Sequence, residues 1–189
     1  MVWTIPGTVL QRPRQESEQI EEMFSSMFLA GGMVLSQVSE LAGLEPYAVQ
    51  NWVKRGFLTP PERKRYSLRQ LCRVLNINSL KSILPMEQIA GLLSYVNGQL
   101  DDVSDDMIDD AQLYFMFVRL AARAKDLYLE AEREALLEQV LSDYQEPIPG
   151  AKQRVKQVLQ IMLTAWLAAR MRQEAEKMLN KCKEETENE

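Results

Sequence analysis

The chain has 189 residues, 46% of them hydrophobic and 26% charged, which is enough for one generous domain or two small ones and reads as a soluble, helix-rich protein. Its net charge is −5 with no histidine and only Cys72 and Cys182, far apart, so a disulfide scaffold, a paired-thiol metal site and imidazole chemistry are all excluded. No apolar run reaches the ~18 residues of a membrane span and the start, MVWTIPGTVLQRPR, lacks the layout of a secretion signal, so a cytoplasmic protein without membrane contact is expected.

The first sixteen residues mix Trp3 and Ile5 with prolines and polar residues and suit an arm laid across another part of the fold. Residues 17–30 form an amphipathic pattern, with Ser17 as cap and Ile20, Met23, Phe24, Met27 and Phe28 as an apolar stripe expected to pack on the helices of 33–99 that follow, the alternative being a partner-binding surface, before Gly31 and Gly32 stop it. A short helix follows, capped by Ser36, with Val38, Leu41 and Ala42 at helical spacing and Gly43 at its end.

Residues 46–55 form the next helix. Pro46 opens it, since its missing N–H costs nothing in a first turn, and Val49, Trp52 and Val53 give it an apolar face. Its other face carries Tyr47, Gln50, Asn51, Lys54 and Arg55. Glutamine and asparagine can each pair with an adenine edge, and lysine and arginine can take guanine or phosphate, so this face has the chemistry of base readout. The plainer account is a helical hairpin that binds no nucleic acid.

Residues 59–66, TPPERKRY, hold two prolines and then Arg63, Lys64, Arg65 and Tyr66, a loop suited to lying along a phosphate backbone as a wing. Residues 52–73 hold seven basic residues against Glu62 alone, a net of +6 on a chain of net −5, although a merely solvated loop would also look basic. Ser67 caps a helix with Leu68, Leu71, Cys72, Leu75 and Ile77 facing a core, Cys72 being a small core residue. Arg69 and Arg73, four residues apart, are placed on its outer face, within reach of flanking phosphate. Pro85 opens another helix that buries Ile89, Leu92, Leu93 and Val96 and ends at Gly98.

Six aspartates crowd residues 101–110, but the spacing lacks the central glycine and closing glutamate of a calcium loop. An acid-rich helix start capped by Ser104 is the better account, and no metal site is assigned. From 107 to about 144 the pattern is one long helix with Tyr114, Phe115, Phe117, Val118, Tyr128, Leu129, Leu136, Leu137 and Val140 among its apolar residues. After the break at 146–150 a second runs from about 152 to 182, so that two helices of ~30 residues form an antiparallel hairpin about 45 Å long. The last seven residues, KEETENE, are charged and frayed.

The order of these blocks, with GLEPYAVQNWVKRGFLTP, a basic loop ending in Tyr66 and the capped SLRQLCRVLNI helix, resembles the DNA-binding domain of the MerR family of transcription regulators. More closely, LSQVSELAGL, QNWVKRGFL, RYSLRQLCRVLNIN and LLSYVNGQLDD resemble a bacterial family catalogued as a domain of unknown function and described as MerR-like, over roughly residues 30–120. The resemblance implies a winged helix-turn-helix. Where MerR-type reading helices present an Arg and then an Arg-Tyr-Tyr run, this chain has Tyr47 and then Gln50, Asn51 and Trp52; Lys54 stands where Arg is frequent, and Lys64 and Tyr66 stand at the Arg and Tyr of the wing. An operator sequence therefore does not carry over.

The expected fold is all-α with at most a small β wing, in three regions: an arm and helix over 1–32, a MerR-like winged helix-turn-helix over 33–99 and a helical hairpin over 100–189. The expected function is sequence-specific binding of double-stranded DNA by a homodimer joined through its C-terminal helices, with Tyr47, Gln50, Asn51, Lys54, Arg55, Arg63, Lys64, Arg65, Tyr66, Arg69 and Arg73 as contact residues. No catalytic residue, metal or cofactor is expected, nor an enzyme, and an effector, if one exists, would be sought between Tyr114 and Tyr128. The alternative is a protein-interaction adaptor built on the same fold without DNA binding.

Overall fold

The structure is a computed structural model that describes residues 2–29, 31–124 and 130–187. It is mostly helical. Strands β1 (Val2–Thr4) and β2 (Gln11–Pro13) pair antiparallel with Trp3 opposite Arg12. This arm lies on the helical body: Ile5 is fully buried, the Trp3 ring meets Trp166 edge-on at 6.2 Å, and the Tyr114 hydroxyl donates to the Pro6 carbonyl at 2.9 Å.

A 3-10 segment, Arg14–Gln19, runs into helix α1 (Ile20–Met27). Ser17 therefore lies buried inside the 3-10 segment and is not the expected cap. Arg14 fixes this entry by donating to the carbonyls of Ala121 and Ala122 at 3.2 and 3.0 Å, near the end of a helix whose last carbonyls lack partners of their own. The stripe on α1 packs on the aromatic residues of 110–123 rather than on the winged region 33–99: Ile20 and Phe24 are buried, the Phe24 ring lies 5.9 Å from both Tyr114 and Phe115, and Met27 is left 38% exposed. Residue 30, the last of the expected helix, lies outside the described residues.

Helices α2 (Leu35–Ala42) and α3 (Pro46–Lys54) follow. The first begins at Leu35 rather than after Ser36, with Gln37 Oε1 accepting the Val34 N–H at 3.0 Å. Gly43 ends it in the left-handed region at φ 62°, where any Cβ would come within 2.6 Å of Val9. Helix α4 (Leu68–Leu80) is opened by a reciprocal cap in which the Ser67 hydroxyl accepts the Gln70 N–H and Gln70 Oε1 accepts the Ser67 N–H. Cys72 is fully buried within α4, and burial pushes its thiol well above the ordinary range. Helix α5 (Met86–Asn97) starts after Pro85 and buries Ile89, Leu93 and Val96.

The C-terminal region departs from the expected hairpin. Helix α6 (Asp110–Arg123) starts not after Ser104 but after Asp109, whose carboxylate accepts the Ala111 and Gln112 N–H groups at 2.7 and 3.4 Å. Ser104 instead closes a local turn onto Asp102 at 2.7 Å. The later start follows from tertiary bonds that hold 107 and 108 out of the helix: the Met107 N–H donates to the Val96 carbonyl, Asn97 donates to the Ile108 carbonyl, and the Tyr144 hydroxyl donates to the Met107 carbonyl.

Ala124, at ψ 81°, then ends α6, and a separate helix α7 (Glu130–Val140) replaces the rest of the expected long helix. The expected apolar residues Tyr128 and Leu129 lie outside the described residues, as does the side chain of Cys182. Helix α8 (Ala151–Glu187) has 37 residues, about 55 Å at 1.5 Å per residue.

The physical reason for the break is the composition of α6. Leu113, Tyr114, Phe115, Met116, Phe117, Val118, Leu120, Ala121 and Ala122 are all buried, leaving Gln112, Arg119 and Arg123 as a narrow polar edge, and a helix with so wide an apolar face is enclosed by several neighbours rather than paired along one stripe. Helix α6 is accordingly the central rod, with α1, α4, α7 and α8 packed around it. One hydrophobic core runs from Trp3 to Trp166 across all three expected regions. Among the described residues no helix is long and apolar enough to cross a membrane.

Candidate nucleic-acid interface

Helix α3 is held by one face and displays the other. Val49 and Trp52 are buried, while Tyr47, Gln50, Asn51 and Lys54, at helical spacing i, i+3, i+4 and i+7, are exposed, Tyr47 by 72%. Arg55 is also exposed but is directed sideways: it pairs with Glu87 at 2.6 Å and its guanidinium lies 4.7 Å from the centre of the Phe57 ring.

The loop 59–66 is a tight hairpin. The Arg65 N–H donates to the Glu62 carbonyl at 2.8 Å, and the two residues between, Arg63 at φ 47° and Lys64 at φ 64°, both lie in the left-handed region. A two-residue turn of this hand matches the twist of its flanking chains but normally recruits Gly or Asn, because a Cβ in that region costs roughly 1–2 kcal/mol per residue. The strain places two cations at the tip.

Its base is fixed from two sides. Met33 and Tyr66 exchange backbone bonds at 2.9 and 2.7 Å across an approach so close that a Cβ on Gly32 would lie 2.5 Å from the Tyr66 carbonyl. The Gln70 side chain donates to the carbonyls of Thr59 and Pro60 and to the Thr59 hydroxyl, tying the loop to the first turn of α4. Arg65 is exposed and donates to the Gly32 carbonyl at 2.7 Å. Among the described residues Lys54, Arg63 and Lys64 have no acidic partner, which leaves their charge to the solvent side.

Three expected contact residues are corrected. Tyr66 is 2% exposed; its ring belongs to the core under the loop, and burial pushes its phenol up. Arg73 is 4% exposed, donating through Nε to the Phe57 carbonyl at 3.0 Å and through Nη1 to both Asp110 oxygens at 3.3 Å. Arg69 is turned onto Asp106 at 2.7 Å, with Asp109 at 3.6 Å and Asp110 at 3.8 Å. A charge removed from water must meet a counter-charge, and these two arginines meet theirs in the aspartate-rich stretch rather than on a ligand.

That stretch thereby acquires a structural role. Burial is the largest influence on both Asp106 and Asp110 and raises each carboxyl against the opposing pull of the arginines; Asp106 is pushed up to about 6. Its Oδ1 is buried without a hydrogen-bond partner. Beside this cluster, an open groove of about 700 Å³ separates the basic loop from residues 100–103, with Arg63, Arg65, Arg69, Gln70 and Asp101 among its lining.

Of the segment considered for an effector, residues 125–128 lie outside the described residues; within the rest, Tyr114 and Phe117 are fully buried and Phe115 is 3% exposed, so these aromatic rings belong to the core. Sequence reasoning missed Gly32, Gln70, Glu87 and the inward-facing aspartates. Gln70 was signalled by the Ser67-x-x-Gln70 spacing of a reciprocal cap. The Arg73–Asp110 pairing, 37 residues apart, left no local trace.

A family described as "Domain of unknown function (DUF1836)" matches residues 18–117, more than half of the chain and including α3, the loop and most of α6. The chain is 36% identical over 84 residues to the "Uncharacterized protein YkrK" of Bacillus subtilis (strain 168). That similarity covers 42% of this chain and 36% of the relative, so the chain spans about a third of the relative's length. No solved structure matches the chain.

Proposed function

The chain belongs to the DUF1836 family, a domain of unknown function, and from its displayed helix and basic loop we propose that it is a sequence-specific double-stranded DNA-binding transcription regulator with a MerR-like winged helix-turn-helix. In this reading α3 enters the major groove with Tyr47, Gln50, Asn51 and Lys54, and the loop 59–66 serves as a wing whose Arg63, Lys64 and Arg65 lie on the phosphate backbone. The observation that carries it is the strained turn at Arg63 and Lys64, which places two exposed cations at the loop tip on a protein of net charge −5. Backbone strain of this kind gathers at functional positions, and a surface that binds nothing has no use for it. The reading assigns no catalytic step and no cofactor, and it goes with a cytoplasmic location.

One short reading helix makes few base contacts, so the proposal includes a two-fold dimer on a palindromic site. Helix α8 supports this: residues 170–181 are exposed, with Met171, Met178 and Leu179 at 61%, 64% and 56%. The same exposed residues favour the second reading, an adaptor that docks another protein and does not touch DNA. Selection of bound sequences from random duplexes, followed by affinity measured against salt, separates the two. A DNA reader yields a consensus and loses affinity steeply as salt rises, whereas an adaptor selects nothing.

A further inference from the structure

We propose that Asp106 acts as a proton-operated latch on Arg69: with its carboxylate charged it pins and neutralises the Arg69 guanidinium at the wall of the groove beside the basic loop, and on protonation it frees that guanidinium for a backbone phosphate. The inference rests on the DNA-binding reading above and adds a mode of regulation to it.

The geometry is specific. Arg69 is 24% exposed and lines the groove together with Arg63 and Arg65. Its tight partner is Asp106 at 2.7 Å; Asp109 and Asp110 stand off at 3.6 and 3.8 Å, and Asp110 is already engaged by Arg73. Asp106 is 9% exposed and has one oxygen on Arg69 and the other buried with no donor. Facing it are Arg69 from α4, Asp109 and Asp110 from the start of α6, and Asp105 from its own loop. A carboxylate with three like charges around it, one tight cation and one unsolvated oxygen gains from taking up a proton.

Burial and these neighbours bring its titration to about 6, inside the range that cells traverse. The chain has no histidine, so the side chain that ordinarily titrates there is absent and the carboxyl is left as the responsive group. The sign follows. Above that pH Asp106 is charged, pairs with Arg69 and adds negative potential beside the groove. Below it Asp106 is neutral, Arg69 keeps only its longer contacts, and the groove is more positive, so duplex binding strengthens as pH falls.

The test uses the full chain and a fluorescent mixed-sequence duplex at low salt, titrated from pH 8 to 5.5. Binding by the native chain tightens about fivefold to tenfold, the size of one exposed charge interaction at low ionic strength, with a midpoint near 6. Asp106→Asn binds at the tighter level throughout, and Arg69→Gln stays at the weaker level. Carbon-detected titration of the Asp106 carboxyl in the native chain gives an independent midpoint without relying on either variant's folding. Equal pH dependence in the native chain and Asp106→Asn, or an Asp106 midpoint near 4, overturns the latch alone. Absence of duplex binding at every pH overturns the reading on which it rests.

Discussion

Arg63 and Arg65 on the loop, and Arg69 and Arg73 on the helix that follows, have the same side chain within eleven residues of sequence and opposite fates. The first pair is exposed on a hairpin strained at Arg63 and Lys64; the second is turned onto carboxylates from the distant stretch 106–110. A net charge counted along a window is therefore not the charge a partner meets. Of the seven basic residues in 52–73, two are neutralised inside the fold and Arg55 is tied to Glu87.

The contrast between the pairs is tested most severely at the buried one. Arg73→Ala leaves Asp110 buried without its cation and is expected to lower stability by about 3–5 kcal/mol in denaturant unfolding. Combining Arg73→Met with Asp110→Leu should recover most of that loss, because the burial cost of both charges disappears together.

On the exposed side, replacing Arg63, Lys64 and Arg65 together with Ala should leave the unfolding transition nearly unchanged. It should weaken all duplexes by about a hundredfold at low salt and reduce the salt slope by roughly 0.9 for each phosphate that is no longer neutralised. An unchanged slope would remove the loop from the interface. Gln50→Ala and Asn51→Ala should cost about 1–3 kcal/mol each of discrimination at the base they read, with little change in binding to mixed sequence.

The smallest and most diagnostic effect is at the strained tip. Lys64→Gly relieves a left-handed φ of 64° and should raise stability by up to about 1 kcal/mol while weakening duplex binding. A variant that gains stability without losing affinity would show that the strain serves some other end.

Much of the fold was legible because its signals are local. Gly43 and Pro46 marked the ends of α2 and α3, Ser67 marked the start of α4, and the spacing of Val49 and Trp52 told which side of α3 packs and so which side is displayed. The failures share one cause. The aspartates at 101–110 read as a helix start capped by Ser104, whereas bonds from Val96, Asn97 and Tyr144 delay the helix until Asp110. The segment 107–144 read as one helix because so wide an apolar face gives little phase to show where it breaks.

Local sequence was sufficient for where most helices begin and end, for the sharp turn before α3 and for the polar face that α3 displays, since hydrogen bonds and caps of this kind join residues only a few positions apart. Long-range packing had to settle which cations remain free, which aromatic residues become core and how the C-terminal helices divide. Burial and charge neutralisation are arranged between groups distant in the chain: Arg73 faces inward only because folding brings Asp110, 37 residues later, against it.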